Sequence, residues 1–201
     1  MNVTELELPG VLLLEPRVFG DERGFFLETW QARRYAEAGM PERFVQDNLS
    51  RSLKNVLRGL HYQIHRPQGK LVSVIEGEVF DVAADIDPRS ETFGRWVGAR
   101  LSGDNKRQLY IPPGYAHGFC VLSETAYFTY KCTEYYAPAL ERGVRWDDPT
   151  LGIDWPVDDP IVNERDAAWP TVEAARREEL PEVVRNRVTS LADRPEHWRL
   201  S

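Results

Sequence analysis

Apolar and polar positions alternate with a period of two in short runs along much of this chain, the signature of half-buried strands. Over residues 79–86, Phe80, Val82, Ala84 and Ile86 share one side of an extended backbone. Val79, Asp81, Ala83 and Asp85 share the other, so one face is apolar and the other carries two carboxylates. Over residues 126–132, Ala126, Phe128, Tyr130 and Cys132 share a face opposite Tyr127, Thr129 and Lys131. Tyr130 is therefore expected to point inward, where its hydroxyl requires a specific partner. Turn signals punctuate these runs: Pro9-Gly10, Asp21-Glu22-Arg23-Gly24, Glu76-Gly77-Glu78, and Pro112-Pro113-Gly114 closing a strand at 107–111. From residue 44 to about 132 the pattern is short strand, turn, short strand, which predicts a sandwich or barrel. A short helix is expected over 30–38, with Thr29 as N-cap and Gly39 as its stop. Past Pro160 the character changes. Val184, Val188 and Leu191 recur at helical spacing, predicting an amphipathic helix on the outside of the β body.

Length and composition add bounds. The 201 residues predict one domain with a sizeable core, and 42% hydrophobic with 28% charged residues is ordinary for a globule. The core is expected over about residues 4–170, with a helical tail over about 171–201. A net charge of −7 and a pI of about 5.2 argue against nucleic acid as a partner, so any anionic ligand needs a local basic pocket. The N-terminus lacks a basic stretch followed by an apolar core, and no apolar run nears the ~20 residues that cross a bilayer. Cys120 and Cys132, in neighbouring strands, read as buried free thiols of a cytoplasmic protein.

Chemistry concentrates in Arg58-Gly59-Leu60-His61-Tyr62-Gln63, which holds one of only four His. Arg58 and His61 are an odd number apart, so an unbroken strand would send them to opposite faces; a bulge at Gly59 or a loop position for Arg58 would bring them together. His61 and His65, if both extended, lie roughly 13 Å apart, too far to share a metal ion. There is no His-x-His or Cys-x-x-Cys, which leaves His61, His117 and a carboxylate as a minority metal reading. His61, an inward Tyr130 and an orienting Asp would make a base, an acid and a tautomer lock, the set an epimerase needs; Lys70 could steady an enolate. Arg23, Arg58, Lys70, Arg142, Arg145 and Arg165 sit near turns or strand ends and are candidate anion ligands.

Eight motifs in order, from about residue 4 to about residue 170, resemble the dTDP-4-dehydrorhamnose 3,5-epimerase family. They are Asp21-Glu22-Arg23-Gly24-Phe25-Phe26-Leu27-Glu28, Gln46-Asp47-Asn48-Leu49-Ser50, the Arg58 motif, Gln68-Gly69-Lys70-Leu71-Val72, Pro112-Pro113-Gly114-Tyr115-Ala116-His117-Gly118-Phe119, Tyr130-Lys131-Cys132-Thr133-Glu134-Tyr135-Tyr136, Glu141-Arg142-Gly143-Val144-Arg145-Trp146-Asp147-Asp148-Pro149, and Asn163-Glu164-Arg165-Asp166. The resemblance implies a mainly β, cupin-type jelly roll with a few peripheral helices. It implies a metal-free, cofactor-free cytoplasmic homodimer with no nucleic-acid or membrane partner. The implied substrate is dTDP-4-dehydro-6-deoxy-D-glucose, inverted at C3 and C5 to dTDP-4-dehydro-L-rhamnose. By position, His61 resembles the base, Asp166 its orienter, Tyr130 the acid, and Lys70 with Arg58 the enolate and hexose ligands. Arg23, Phe26, Glu28, Gln46, Asp47, Asn48, His117, Glu141 and Arg165 match substrate contacts, and Tyr136 the thymine platform. Asn163 and Arg165 stand where the family pattern more often has Ser and Lys. Three other readings remain: a relative acting at one carbon only, a metal-binding cupin, and an inactive sugar-nucleotide-binding module.

Overall fold

The computed structural model describes residues 1–41, 43–175 and 179–181. Two antiparallel sheets face each other. One contains β1 (Asn2–Glu5), β2 (Leu12–Glu15), β10 (Gln108–Ile111), β7 (Lys70–Glu76), β12 (Thr125–Cys132) and β5 (Gln46–Leu53), in the spatial order β1-β2-β10-β7-β12-β5. The other has the order β13-β6-β11-β8-β9, from β13 (Glu141–Gly143), β6 (Leu57–Gln63), β11 (Ala116–Val121), β8 (Glu78–Ala84) and β9 (Trp96–Ser102). β3 (Val18–Asp21) and β4 (Gly24–Leu27) form a separate hairpin across the Asp21–Gly24 turn. This is the expected cupin-type β fold, with the sheets arranged as a sandwich rather than a closed barrel.

The interior packs Val72, Val74, Phe128 and Ala126 of one sheet against Val79, Ala83, Val97, Leu101, Phe119 and Val121 of the other. β8 is buried on both faces. Val79, Asp81 and Ala83 face this interior, whereas Val82, Ala84 and the following Ile86 pack beneath Val144, Leu151, Trp155 and Val172 of the chain's later loops. The carboxylate face expected from periodicity is therefore not a solvated face: Asp81 and Asp85 are both fully buried. Asp85 lies just beyond the strand end, where it accepts from the hydroxyls of Ser90 and Thr92 and from the Asp87 N–H, closing a loop.

The first helix, α1 (Ala32–Glu37), is shorter than expected and is capped by Gln31, whose Oε1 accepts from Arg34 N at 2.6 Å. Thr29 instead offers its backbone carbonyl to Gln108 Nε2 at 2.9 Å, which anchors the helix approach to β10. Gly39, at φ +95°, ends the helix as expected. Gly77, at φ +86°, makes the tight β7–β8 connection. The helix predicted around Val184, Val188 and Leu191 lies outside the described residues. No helix among the described residues is long and apolar enough to cross a membrane.

Candidate active site

Between the two sheets, at one end of the sandwich, lies a cavity of about 380 Å³. Its walls come from both sheets: Gln46 and Asn48 of β5, Lys70 of β7 and Tyr130 and Cys132 of β12 on one side; Arg58 and His61 of β6, His117 of β11 and Glu141 of β13 on the other. Tyr136 and Arg165 close the rim.

The parity problem of Arg58 and His61 is resolved by a bulge. Along the β6–β11 ladder, His61 pairs with His117 and Arg58 with Phe119, so three steps of β6 run beside two of β11. Both Arg58 and His61 consequently line the cavity. Gly59 makes this possible: its φ is +125°, and a Cβ there would lie 2.6 Å from Gly118 Cα and 2.8 Å from the His117 carbonyl oxygen. Its N–H also donates to Asp166 Oδ2 at 3.1 Å. Arg58 is steadied from behind by Nε donation to Ser52 Oγ at 3.0 Å.

His61 Nε2 lies 2.8 Å from Asp166 Oδ1. Asp166 is completely buried on the short helix α2 (Glu164–Ala167), whose N-cap is Asn163; the Asn163 side chain accepts from Asp166 N at 2.7 Å. Asn at position 163 thus supplies the oxygen that a Ser would offer as a cap. Burial alone would raise the Asp166 pKa. The hydrogen bond and charge of His61, the Gly59 N–H and Arg165 outweigh it and hold the carboxyl below its usual range. An ionised Asp166 accepts the Nε2 proton of a neutral His61 and leaves Nδ1 as the free basic nitrogen.

Tyr130 enters from the opposite sheet. It points inward as expected, but its hydroxyl has no hydrogen-bond partner among the described residues; it opens into the cavity instead. Burial is the main cause of its raised pKa, with Cys132 adding to the effect and Arg58 opposing it, so the phenol stays protonated at neutral pH. Lys70 also reaches the cavity, with its pKa lowered by burial and raised in part by Cys132, Asp81 and Glu141. At the rim, Tyr136 donates its hydroxyl to Glu141 Oε2 at 2.9 Å, Arg165 Nη1 donates to the same oxygen at 2.6 Å, and Gln46 Oε1 accepts from the Tyr136 N–H at 2.9 Å.

Four expected substrate contacts lie outside this cavity. Arg23 pairs with Asp21 at the tip of the β3–β4 hairpin, Phe26 is 69% exposed on that hairpin, and Glu28 pairs with Arg34 at 2.6 Å. Asp47 pairs with Lys131 at 2.8 Å on the outer face of its sheet, because its neighbours Gln46 and Asn48 take the inward positions of β5. Two of the six candidate anion ligands are likewise engaged elsewhere: Arg142 donates to the Ala139 and Glu141 carbonyls, and Arg145 forms a two-point pair with Asp147. Arg58, Lys70 and Arg165 are the members of that set that the fold brings together. Among the described residues, no three His, Cys, Asp or Glu side chains are grouped to hold a metal ion, and His65 lies in a turn beyond β6 at φ +60°. Periodicity alone did not single out Ser52, Asn163's capping role or the partner of His117, which is Asp81; a carboxylate inside an apolar run was the available signal for the last.

The dTDP-4-dehydrorhamnose 3,5-epimerase family model matches residues 5–174. The chain belongs to this family. A dTDP-4-dehydrorhamnose 3,5-epimerase of Pseudomonas aeruginosa is 59% identical over 168 residues, which cover 83% of this chain and 93% of the relative. The solved structure of a dTDP-6-deoxy-D-glucose-3,5-epimerase from Legionella pneumophila, in complex with dTDP-4-keto-L-rhamnose, superposes with a TM-score of 0.87 at 54% identity, covering 90% of this chain and 97% of that one. A dTDP-4-dehydrorhamnose 3-epimerase of Streptomyces niveus is more distant, 41% identical over 168 residues covering 83% of this chain and 81% of the relative. In the family's terms, the motif residues of β5, β6, β7, β11, β12 and α2 converge on one cavity, while the hairpin motif that carries Arg23 and Phe26 does not enter the cavity of its own chain.

Proposed function

We propose that this protein inverts C3 and C5 of dTDP-4-dehydro-6-deoxy-D-glucose, giving dTDP-4-dehydro-L-rhamnose on the route to dTDP-L-rhamnose. The observation that carries the reading is the placement of a His–Asp dyad and a protonated phenol on facing sheets of one cavity. Epimerisation requires a base on one side of a carbon and a proton donor on the other. In this scheme His61 Nδ1 removes the proton beside the C4 ketone, and Asp166 holds the ring and stabilises the imidazolium. Lys70 and Arg58 meet the charge that develops on O4, and Tyr130 returns a proton to the opposite face. The same pair serves C3 and C5 in turn, because both carbons flank one carbonyl, once water has taken the proton from His61 and returned one to Tyr130 between the two inversions. Tyr136 provides a flat surface for the thymine ring. Arg165, with Gln46, Asn48, His117 and Glu141, holds the rest of the nucleotide and sugar. The chemistry needs neither metal nor cofactor, since the ketone already acidifies both protons, and a single cytoplasmic domain with a net charge of −7 offers nucleic acid or membrane little attraction.

Incubation with dTDP-4-dehydro-6-deoxy-D-glucose in D₂O, without added metal, is expected to place deuterium at C3 and C5 and yield the L-rhamno product by NMR. Exchange confined to one carbon selects a single-site epimerase, and no exchange removes the enzymatic reading.

The functional unit is a homodimer in which the β3–β4 hairpin of each protomer completes the cavity of the other. Two observations support this: Arg23 and Phe26 lie away from their own cavity, and the hairpin with the adjacent sheet exposes Phe19, Phe25, Phe26, Leu49, Leu53 and Ile75, which a second copy would cover. Mixing an Arg23→Ala chain with a His61→Ala chain is then expected to restore activity that neither has alone. One cavity of the mixed dimer combines an intact His61 with an intact partner hairpin. Failure to complement, in exchanged dimers verified by mass, would exclude a shared site.

A further inference from the structure

Asp81 takes no part in the chemistry above, yet it is fully buried beneath the cavity. It projects from β8 into the space between the sheets, and His117 Nε2 lies 3.1 and 3.0 Å from its two carboxylate oxygens. A carboxylate removed from water persists as an anion only where donors and cations compensate it. Burial pushes the Asp81 pKa up; His117 and Lys70 oppose that rise.

The charges around this cluster can be followed element by element. Lys70 is faced by Asp81 from β8, Cys132 from β12 and Glu141 from β13. His117 is faced by Asp81, by Lys70 and by His61. Burial keeps the Cys132 thiol protonated, and Glu141 is already engaged by Arg165 and Tyr136. Asp81 is then the negative charge available to both Lys70 and His117.

We propose that Asp81 is a positioning residue of the active site: it accepts the Nε2 proton of His117, which presents Nδ1 to the ligand, and it places a buried negative charge beneath the cavity that Lys70 and His117 line. The inference rests on the reading that Lys70 steadies an enolate here. Without Asp81, burial favours a neutral amine at Lys70, and a neutral amine stabilises a developing oxyanion poorly. The charge has to be in place before the carbon proton leaves, because a site that must recruit a proton during the reaction loses its preorganisation.

Asp81→Asn keeps the side-chain shape and removes the charge. A buried opposite charge raises the pKa of an ammonium, so removing it should move the alkaline limb of kcat to lower pH. The sign follows from the direction of the effect: Asp81 raises the Lys70 pKa, so its loss lets the ammonium deprotonate earlier as pH rises. Each pH unit by which the limb moves is tenfold in protonated fraction, so kcat on the alkaline limb is expected to drop about tenfold per unit, with a smaller loss toward acid pH. A near-ultraviolet circular dichroism spectrum matching wild type checks that the variant's packed core is intact. A kcat–pH profile superimposable on wild type overturns the proposal. So does a long-range ¹⁵N spectrum of the wild-type protein that places the His117 proton on Nδ1, a measurement independent of whether the variant folds. Wild-type protein that fails to exchange deuterium at either carbon overturns the epimerase reading itself, before any variant is compared.

Discussion

Replacing His61 by Ala is expected to abolish deuterium incorporation at both C3 and C5 and to slow product formation by about 10²–10⁴-fold, the usual contribution of a positioned general base. The expectation rests on geometry. His61 is held by a fully buried Asp166 at 2.8 Å, and that carboxylate is itself fixed by the Gly59 N–H and by the Asn163 cap. His117 lines the same cavity and, like His61, has Nε2 on a carboxylate, but burial holds its pKa below the usual imidazole range and makes it a poor base. The fold should survive the change, because His61 is partly exposed to the cavity, with a side chain 21% accessible, and is no part of the apolar core. Loss of exchange at one carbon with retention at the other would show that C3 and C5 have different bases, and the single-base scheme would fail. Removing His61 also leaves Asp166 buried without its main partner. Since His61 holds the Asp166 pKa down, the stability this pair contributes is present above the unfolded carboxyl value near 4 and is lost as pH falls through the depressed folded value.

Tyr130→Phe should produce a different failure of comparable size. The base remains, so a proton still leaves carbon and deuterium still enters. What is lost is delivery from the opposite face, and inversion should fall by about 10²–10⁴-fold while exchange persists. Exchange without inversion separates an acid from a group that merely shapes the pocket, because a packing role would slow both together. The substitution should be nearly silent in stability: the hydroxyl has no hydrogen-bond partner among the described residues, so deleting it strands no buried group. The ring keeps its packing beside Phe128, with centroids 5.9 Å apart. Inversion at wild-type rate in this variant would remove Tyr130 from the scheme and shift the search for the acid to other groups of the cavity.

Both variants concern residues that could be read from the chain, but for different reasons. Tyr130 was legible from alternation, since Ala126, Phe128 and Cys132 fix which face of β12 is inward, and burial bears this out. His61 was legible as chemistry before it was legible as geometry. Its spacing from Arg58 conflicted with a regular strand, and the bulge at Gly59 that removes the conflict is visible only in the pairing with β11. Where local chemistry and global packing competed, packing won. Asp81 and Asp85 share a polar-looking face by period, yet the sandwich buries that face and the later loops bury the other. Thr29 is a good N-cap by type, but its carbonyl is recruited by Gln108 and the helix starts later, at a Gln31 cap.

The sequence by itself determined the class of fold, the inward face of β12 and the identity of the chemical groups, because alternation, turn residues and side-chain type are local properties. The tertiary structure decided which of those groups meet. Asp166 reaches His61 across 105 positions of chain and Asp81 meets His117 across 36. Arg58, Lys70 and Arg165 gather at the cavity, while Arg142 and Arg145 are spent on nearby carbonyls and on Asp147. Such encounters depend on strand order and on one extra residue in one strand. Neither leaves a local trace, since a pairing between distant segments is paid for by the whole packed core and not by the residues that happen to meet.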